Sequence, residues 1–574
     1  MLHFAQTCDA IAATTKKLEK TALAATYLRE LPSSEAATAA IFLSGRPFPA
    51  YEETTLQVGG ALLGRVIRDL SGKSEHELTE IYRRHGDAGS VAAEALPARP
   101  ESGLALGEVQ RTFYEIAKAR GPATKANHLR ELLARTTPLE AKYIIKIVSG
   151  DLRIGLKESL VEGAIARAFE APLDQLQRAN MLLGDIGETL RLASAGKLAD
   201  AQLRLFHPMD FMLASPVESA EQALGYFQDA SVEDKYDGIR AQVHVSQGEA
   251  RVFSRTRDEI TEAFPELPVA LGRLAHEAIL DGEIVAWNVA SNSDGVEVPA
   301  RALPFSTLQQ RLGRKKVSAK LMHEIPVAYL VFDILYADGE LLLDRPLRER
   351  ARILDSVFHD LVAVPRPVIF GRQQAQSSLG FDDQDENFIA PVLRAPVATA
   401  STAGDLETLF AAARSRGNEG LMIKDLDSLY TPGRRGKAWL KMKRELATLD
   451  VVVTAVEYGH GKRIGVLSDY TFAVRDGERL VNIGKAYSGL TDVEIAEMTR
   501  WFLAHKIDEQ GLRLEVEPKI VLEVAFNNMM RSTRHESGYA LRFPRIVRLR
   551  PDKRPEDADT IETVEEIFEQ QHSA

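Results

Sequence analysis

The sequence predicts a multidomain chain: an all-helical part over residues 1–205, an α+β part over 206–446 and a small β-barrel over 447–574. Three observations carry this. At 574 residues the chain exceeds what one hydrophobic core organises, and domain sizes divide it into roughly three or four. Apolar residues first recur at helical intervals of three and four, then give way after His207–Pro208 to short β-branched runs. Near Leu446 the texture changes again, to short strands with glycine-containing turns.

In the first part, AKYIIKIVSG and ESLVEGAIARAF each gather apolar residues on a helical face. Between them, SGDLRIGLK reads as a loop punctuated by Gly150 and Gly155 and carrying Arg153 and Lys157. Residues 86–100, rich in Ala, Gly and Pro, read as a mobile connection. The opening MLHFAQTCDAIAATTKKLEK lacks the basic-then-apolar layout of a secretion signal and reads as an amphipathic helix. The middle part supplies the strands RAQVHVS, EARVFSR, AILDGEIVAW, VAYLVFDILY and GLMIKD, with helical stretches such as LPVALGRLAHEA between them. The last part supplies LDVVVTAVEYG, DYTFAVRDG, ERLVNIGKAY and KIVLEVAF, for which an OB-fold is the leading architecture.

The apolar fraction of 45% and charged fraction of 27% are those of an ordinary soluble globular protein. No run of about 18 or more uncharged apolar residues predicts a membrane span. The single cysteine, Cys8, excludes an internal disulfide framework and a multi-cysteine zinc site, which points to the cytoplasm. Net charge is −11, which as a total argues against a nucleic-acid partner. The charge is uneven, however: residues 531–554 hold eight basic and two acidic side chains, and the residues after them hold seven acidic and no Lys or Arg. Attraction is set by the local patch within a Debye length of about 10 Å, so the acidic balance leaves DNA open.

The segment EDKYDGIRAQVH, residues 233–244, carries the first chemical signal. Lys235 is followed by Asp237, Gly238 and Arg240. A lysine attacks only as the free amine, so desolvation or nearby cations must depress its ordinary pKa of about 10.4. Gly238 lets a backbone or a phosphate come close. Alone, this pattern equally fits an exposed strand and turn. Five further clusters shift the balance. SRTRDEIT at 254–261 offers Arg255 at a strand end, and DGEIVAW at 281–287 puts Glu283 opposite the apolar Ile284. VFDILY at 331–336 sets Phe332 beside Asp333, although a core aromatic is the commoner meaning of such a run. EGLMIK at 419–424 flanks a strand with Glu419 and Lys424. WLKMK at 439–443 alternates, so Lys441 and Lys443 share a face. There they hold polyphosphate and lower a neighbouring lysine's pKa, or they decorate a surface strand.

In this order, KYDGIR, SRTRDEIT, DGEIVA, FDILY, EGLMIK and WLKMK resemble the six successive motifs of the lysine nucleotidyltransferases. Nearly the whole chain resembles the three-domain ATP-dependent DNA ligases of archaeal and eukaryotic replicative type. LRFPRIVRLRPDKRPEDAD at 541–559 is similar to their C-terminal motif, with Arg550, Asp552 and Lys553 on its RxDK element. SGDLRIGLKESLVEGAIARAF is similar to the signature loop of their helical DNA-binding domain. There is one departure: the family usually has Glu then Asp after SRxx, and this chain has Asp258 then Glu259, which alters the local support of Arg255.

The resemblance implies a DNA-binding domain over 1–205, an adenylation domain over 206–446 and an OB-fold domain over 447–574. It implies sealing of nicked double-stranded DNA with ATP and Mg²⁺, through AMP carried first on Lys235 and then on the 5′-phosphate of the nick. Glu233 then reads the adenine amino group, Phe332 stacks on the ring, Arg240 contacts ribose or the nick phosphate, and Arg255 contacts a phosphate. Glu283 and Glu419 hold Mg²⁺, while Lys424, Lys441 and Lys443 bind the α-phosphate. Arg550 and Lys553 orient pyrophosphate while the barrel covers the nucleotide, with residues 444–450 as the hinge. Arg153 and Lys157 contact DNA phosphates without regard to sequence, or are solvated helix-end charges. One chain suffices to enclose a duplex, and no clear sliding-clamp peptide is present. An RNA ligase or an mRNA-capping guanylyltransferase is the alternative, and SGDLRIGLK argues against both. The single cysteine disfavours NAD⁺-dependent ligases, whose zinc module needs four. A catalytically dead DNA-binding scaffold is opposed by Lys235, Glu283, Glu419, Lys441 and Lys443 occurring together.

Overall fold

The computed structural model describes residues 1–572 except 53, 102, 228–229, 289–290, 294–295, 299–300, 304, 313–316, 364–391, 444–446 and 461–462. The chain forms two compact units, one gathering residues 1–202 with 445–571 and the other built on 203–444. The expected hinge at 444–450 begins in residues outside those described. Among the described residues, no helix is long and apolar enough to cross a membrane.

Residues 1–202 form twelve α-helices among the described residues, from Leu2–Ala13 to Ile186–Ser194. Their caps are legible in the sequence. Thr137 accepts a hydrogen bond from Glu140 N and Glu140 reaches back to Thr137, with Pro138 opening the helix Pro138–Val148. Ile144, Ile145 and Ile147 of that helix are buried in a core shared with Phe4, Phe42 and Phe113. The loop between Pro138–Val148 and Glu158–Ala168 turns through left-handed residues at Gly150, Arg153 and Gly155. It is tied down from within, because buried Lys20 donates to Ile154 O and to Ile11 O.

Residues 86–100 differ from expectation. They hold the helix Ala88–Ala95, capped by Asp87. Its small residues serve close packing, not mobility: a Cβ on Gly89 would lie 2.4 Å from Lys142 O on the neighbouring helix.

The unit built on 203–444 contains two sheets. The first runs Leu213–Val217, Arg435–Met442, Gly420–Asp425, Ala230–Lys235, Ala398–Ala400. The second runs Glu340–Leu341, Val327–Ala337, Ala278–Asn288, Ile239–Ser246, Glu249–Ser254, with two short strands beside its centre. The five strands expected from the sequence are all present. LPVALGRLAHEA is helical only over Glu266–Leu271, because Gly272 packs its backbone against Gly248 O, where a Cβ would lie 2.6 Å away.

The strand-rich C-terminal part centres on Ala447–Tyr458, which pairs with Leu467–Asp476, Arg513–Val516 and Val521–Phe526. The seven-stranded sheet is a half-barrel, with a core including Val451, Val453, Phe472 and Val524. The helix Asp492–Ala504 covers part of it through Ile495 and Phe502.

Candidate active site

Lys235 ends the strand Ala230–Lys235, and the antiparallel neighbour Gly420–Asp425 sets Gly420 against Lys235, Met422 against Glu233 and Lys424 against Ser231. This register fixes the surroundings of Lys235. Glu419 N donates to Lys235 O at 2.9 Å, and Lys235 Nζ donates to Glu419 Oε2 at 2.5 Å. Strand alternation puts Glu233 on the face of Lys235. Glu233 is buried and accepts a hydrogen bond from Lys424 Nζ at 2.6 Å. Burial lowers the pKa of Lys424, and the nearby Glu233 and Asp333 pull it back up. The Lys424 ammonium also lies 4.2 Å from the Phe332 ring centre and 4.4 Å from that of Trp439. Asp234 is held by Arg416, through bonds of 2.8 and 2.7 Å, and by Asn418 at 2.7 Å.

The second sheet begins four residues on, and the chain crosses to it through Tyr236, Asp237 and Gly238. A Cβ on Gly238 would lie 2.3 Å from Ile284 O, so only glycine passes there. Arg240 pairs across the ladder with Glu283. Its guanidinium grips buried Asp281 at 3.1 and 2.7 Å and donates to Met212 O at 2.7 Å. Tyr430 also donates to Asp281, at 2.7 Å. Burial opposes the Arg240 charge, yet Asp281 holds its pKa above the ordinary value. The sequence reading gives Arg240 a ribose or phosphate, whereas the structure binds its guanidinium to Asp281 and Met212. Glu283 is half-buried, and burial pushes its carboxyl up to about 8 against the pull of Lys235 and Arg240.

The strand Arg435–Met442 brings Lys441 beside Met422. Lys441 has a lowered pKa, first through burial and then through repulsion from Lys443, Lys235, Arg435 and Arg255. That set of cations makes a place for a polyanion. Arg255 is exposed on a turn closed by Ser254 N donating to Asp258 O at 2.8 Å. Asp258 therefore supports the turn through its backbone, and its carboxylate accepts from Thr256.

The remaining expected residues lie elsewhere. Arg550 and Lys553 belong to the other unit, where both engage Asp450. Arg153 donates to Gly86 O at 2.6 Å, and Lys157 is exposed at the start of Glu158–Ala168. Sequence reasoning missed Asp281 and Trp439. Alternation held the signal for both: Asp281 shares a strand face with Glu283, and Trp439 shares one with Lys441.

A lysine at a strand end, ringed by cations and carboxylates and followed by a glycine crossing to a second sheet, is the constellation of a covalent nucleotidyltransferase. Family models agree over most of the length: DNA ligase N terminus matches residues 1–166, ATP dependent DNA ligase domain 211–443, and ATP dependent DNA ligase C terminal region 463–553. The chain is 58% identical to a probable DNA ligase of Koribacter versatilis, over 100% of this chain and 97% of that one. It is 36% identical to a DNA ligase of Methanothrix thermoacetophila, over 99% and 98%. The solved structure Pmar-Lig_PreS3 shares the fold, with a TM-score of 0.60 at 14% identity over 95% of this chain and 99% of that one. The chain belongs to the ATP-dependent DNA ligase family, enzymes that seal nicks in DNA. This decides against the RNA-directed alternative.

Proposed function

We propose that Lys235 Nζ attacks the α-phosphate of ATP, forming a P–N bond as the bond to the β-phosphate breaks and pyrophosphate leaves. AMP then passes to the 5′-phosphate of a nick, and the 3′-hydroxyl displaces it to close the strand. The observation that carries this reading is Lys235 Nζ at 2.5 Å from Glu419 Oε2, with Lys441 and its cationic neighbours alongside. Attack requires Nζ to lose a proton, and Glu419 Oε2 is the carboxylate oxygen that accepts a hydrogen bond from that group. Phosphoryl transfer asks the protein for position and charge neutralisation. Lys441 and Lys443 supply the positive charge for the α-phosphate, and Arg255 contacts a phosphate. Phe332 offers its ring to adenine and Glu233 reads the amino group; Lys424, expected from the sequence at the α-phosphate, is bound to Glu233 and lies over the Phe332 ring, which supports an anchoring role instead.

Glu283 and Glu419 would hold Mg²⁺. The two carboxyl groups stand near Lys235 and suit an ion that keeps several waters and takes further ligands from phosphate, Glu283 giving up its proton when the ion binds. Bound there, the ion supplies neutralisation of polyphosphate charge.

In the same reading the three domains divide at 1–205, 206–446 and 447–574, and the half-barrel is an OB-fold. The part over 1–205 grips nicked duplex DNA, with Arg153 and Lys157 on phosphates, supported by the fixed backbone of their loop. Arg550 and Lys553 orient pyrophosphate in the first step. The enzyme works as one chain, in the cytoplasm. The test offers ATP, ADP, GTP and NAD⁺ separately with nicked DNA and nicked RNA, and maps covalent AMP by mass. AMP on Lys235 from ATP, with nicked DNA sealed and Lys235→Ala unlabelled, is the expected outcome. Labelling of Lys235→Ala, or AMP on another residue, overturns it.

A further inference from the structure

Asp450 is a carboxylate that Arg550 and Lys553 share. Arg550 Nη1 donates to Asp450 Oδ1 at 2.9 Å, and Lys553 Nζ donates to Oδ2 at 2.6 Å. The Asp450 side chain is 12% exposed, so water screens these bonds little. Asp450 comes from the strand Ala447–Tyr458, 100 residues before Arg550 in the chain. Its backbone is fixed in turn, because Asp450 N donates to Asp559 Oδ2 at 2.7 Å. The other partner of Arg550 differs in kind. Asp552 is 62% exposed and only two residues away, so it travels with the arginine. Glu523 accepts from Arg548 at 2.7 Å and stands 3.7 Å from Arg550.

Both edges of the Arg550 fork are occupied: Nε and Nη2 by Asp552, Nη1 by Asp450. A guanidinium donor aimed at a carboxylate is unavailable to a phosphate oxygen, and the pair's charge is already neutralised. Asp450 holds a donor of each cation at once, Arg550 Nη1 and Lys553 Nζ, so a polyphosphate that takes both of those donors must displace its carboxylate.

We propose that Asp450 is a positioning residue for the first chemical step, the counter-ion that Arg550 and Lys553 exchange for pyrophosphate. Its carboxylate competes with the triphosphate, and so sets how tightly ATP and, in reversal, pyrophosphate engage. This rests on the reading of Arg550 and Lys553 as pyrophosphate-orienting groups. The consequence has a sign that a merely structural carboxylate lacks. Removing a competitor tightens polyphosphate binding, whereas removing a strut only weakens it.

The test measures single-turnover self-adenylation against ATP concentration, and its reversal against pyrophosphate, in the full chain. In Asp450→Asn both half-saturating concentrations should fall about two- to fivefold, the worth of a partly exposed ion pair. The maximal rate should change far less. Asp450→Ser, a second way of removing the charge, should act in the same direction; the gain should shrink when either is combined with Lys553→Ala and vanish when Arg550→Ala is added as well. Half-saturating concentrations that stay the same or rise in both variants overturn the proposal. Arg550→Ala and Lys553→Ala alone separate the two levels. If they leave half-saturating ATP unchanged, the reading of the cations fails. If they raise it while Asp450→Asn does not lower it, only the exchange fails.

Discussion

Lys424 and Glu233 are joined at 2.6 Å with side chains 1% and 5% exposed, and the Lys424 ammonium rests against the rings of Phe332 and Trp439. A charge so far from water is tolerated only beside its partner. The pair therefore belongs to the packing of the five-stranded sheet as much as to the candidate site. Lys424→Met should strand the Glu233 carboxylate and cost about 3–5 kcal/mol. The double variant Glu233→Gln with Lys424→Met should recover much of that loss, because no unpaired charge remains. Urea unfolding read by tryptophan fluorescence checks this, and additive losses in the double variant would contradict it.

Gly238 is the narrowest point between the two sheets. An alanine Cβ there meets Ile284 O at 2.3 Å, Glu283 Cγ at 2.9 Å and Val285 Cγ1 at 2.9 Å. The chain must shift, and Lys235, three residues back, shifts with it. Overpacking of this kind costs about 1–3 kcal/mol. A displacement of about 1 Å at a nucleophile is worth about 100-fold in rate. Gly238→Ala should therefore slow self-adenylation by about that factor. Gly436, with nothing within 4 Å of an added Cβ, provides the control: Gly436→Ala should leave both stability and rate as they are.

Lys441 stands among four other cations, Lys443, Lys235, Arg435 and Arg255, whose repulsion a bound polyphosphate relieves. Lys441→Gln should raise the ATP concentration needed for self-adenylation by about tenfold, since a charge-assisted bond to phosphate is worth about 1.5–3 kcal/mol and the remaining cations offset part of it. It should also make unfolding slightly harder in the absence of nucleotide, because one source of repulsion is gone. A variant with normal ATP dependence would place the α-phosphate away from this strand.

Much of the candidate site was legible because strand alternation carries it: Glu233 with Lys235, and Lys441 with Lys443, fall on one face by counting twos. What counting could not reach are pairings between distant strands. Arg240 meets Asp281 only because Ile239–Ser246 lies against Ala278–Asn288, and Arg550 meets Asp450 across 100 residues. The helix Ala88–Ala95 escaped for another reason. Ala and Gly give almost no amphipathic signal, and the same small residues that suggest mobility also let two helix backbones touch, as Gly89 does at Lys142. Helical spacing in LPVALGRLAHEA misled at its end, where Gly272 closes on the Gly248 backbone and the chain leaves the helix for a strand.

His244 gives the second sheet a pH dependence separate from the chemistry. Its side chain is fully buried; Nδ1 accepts from Phe206 N at 2.9 Å, which leaves Nε2 to donate to Gln242 Oε1 at 2.8 Å. Gln242 Oε1 also accepts from Met209 N at 2.9 Å, so the two side chains fasten the segment around His207 to the sheet. Burial, with the nearby His207 adding to it, pushes the His244 pKa down to about 3, against about 6.5 in an unfolded chain. Between those values the unfolded state binds the extra proton and the folded state does not. Stability is therefore fully present above pH 6.5 and falls as pH drops toward 3, by up to about 1.4 kcal/mol per pH unit from this group. His244→Gln keeps an acceptor for Phe206 N but cannot titrate. Denaturant midpoints at pH 6.5 and 4.5 should differ more in the natural chain than in the variant, and equal differences would remove His244 as the cause.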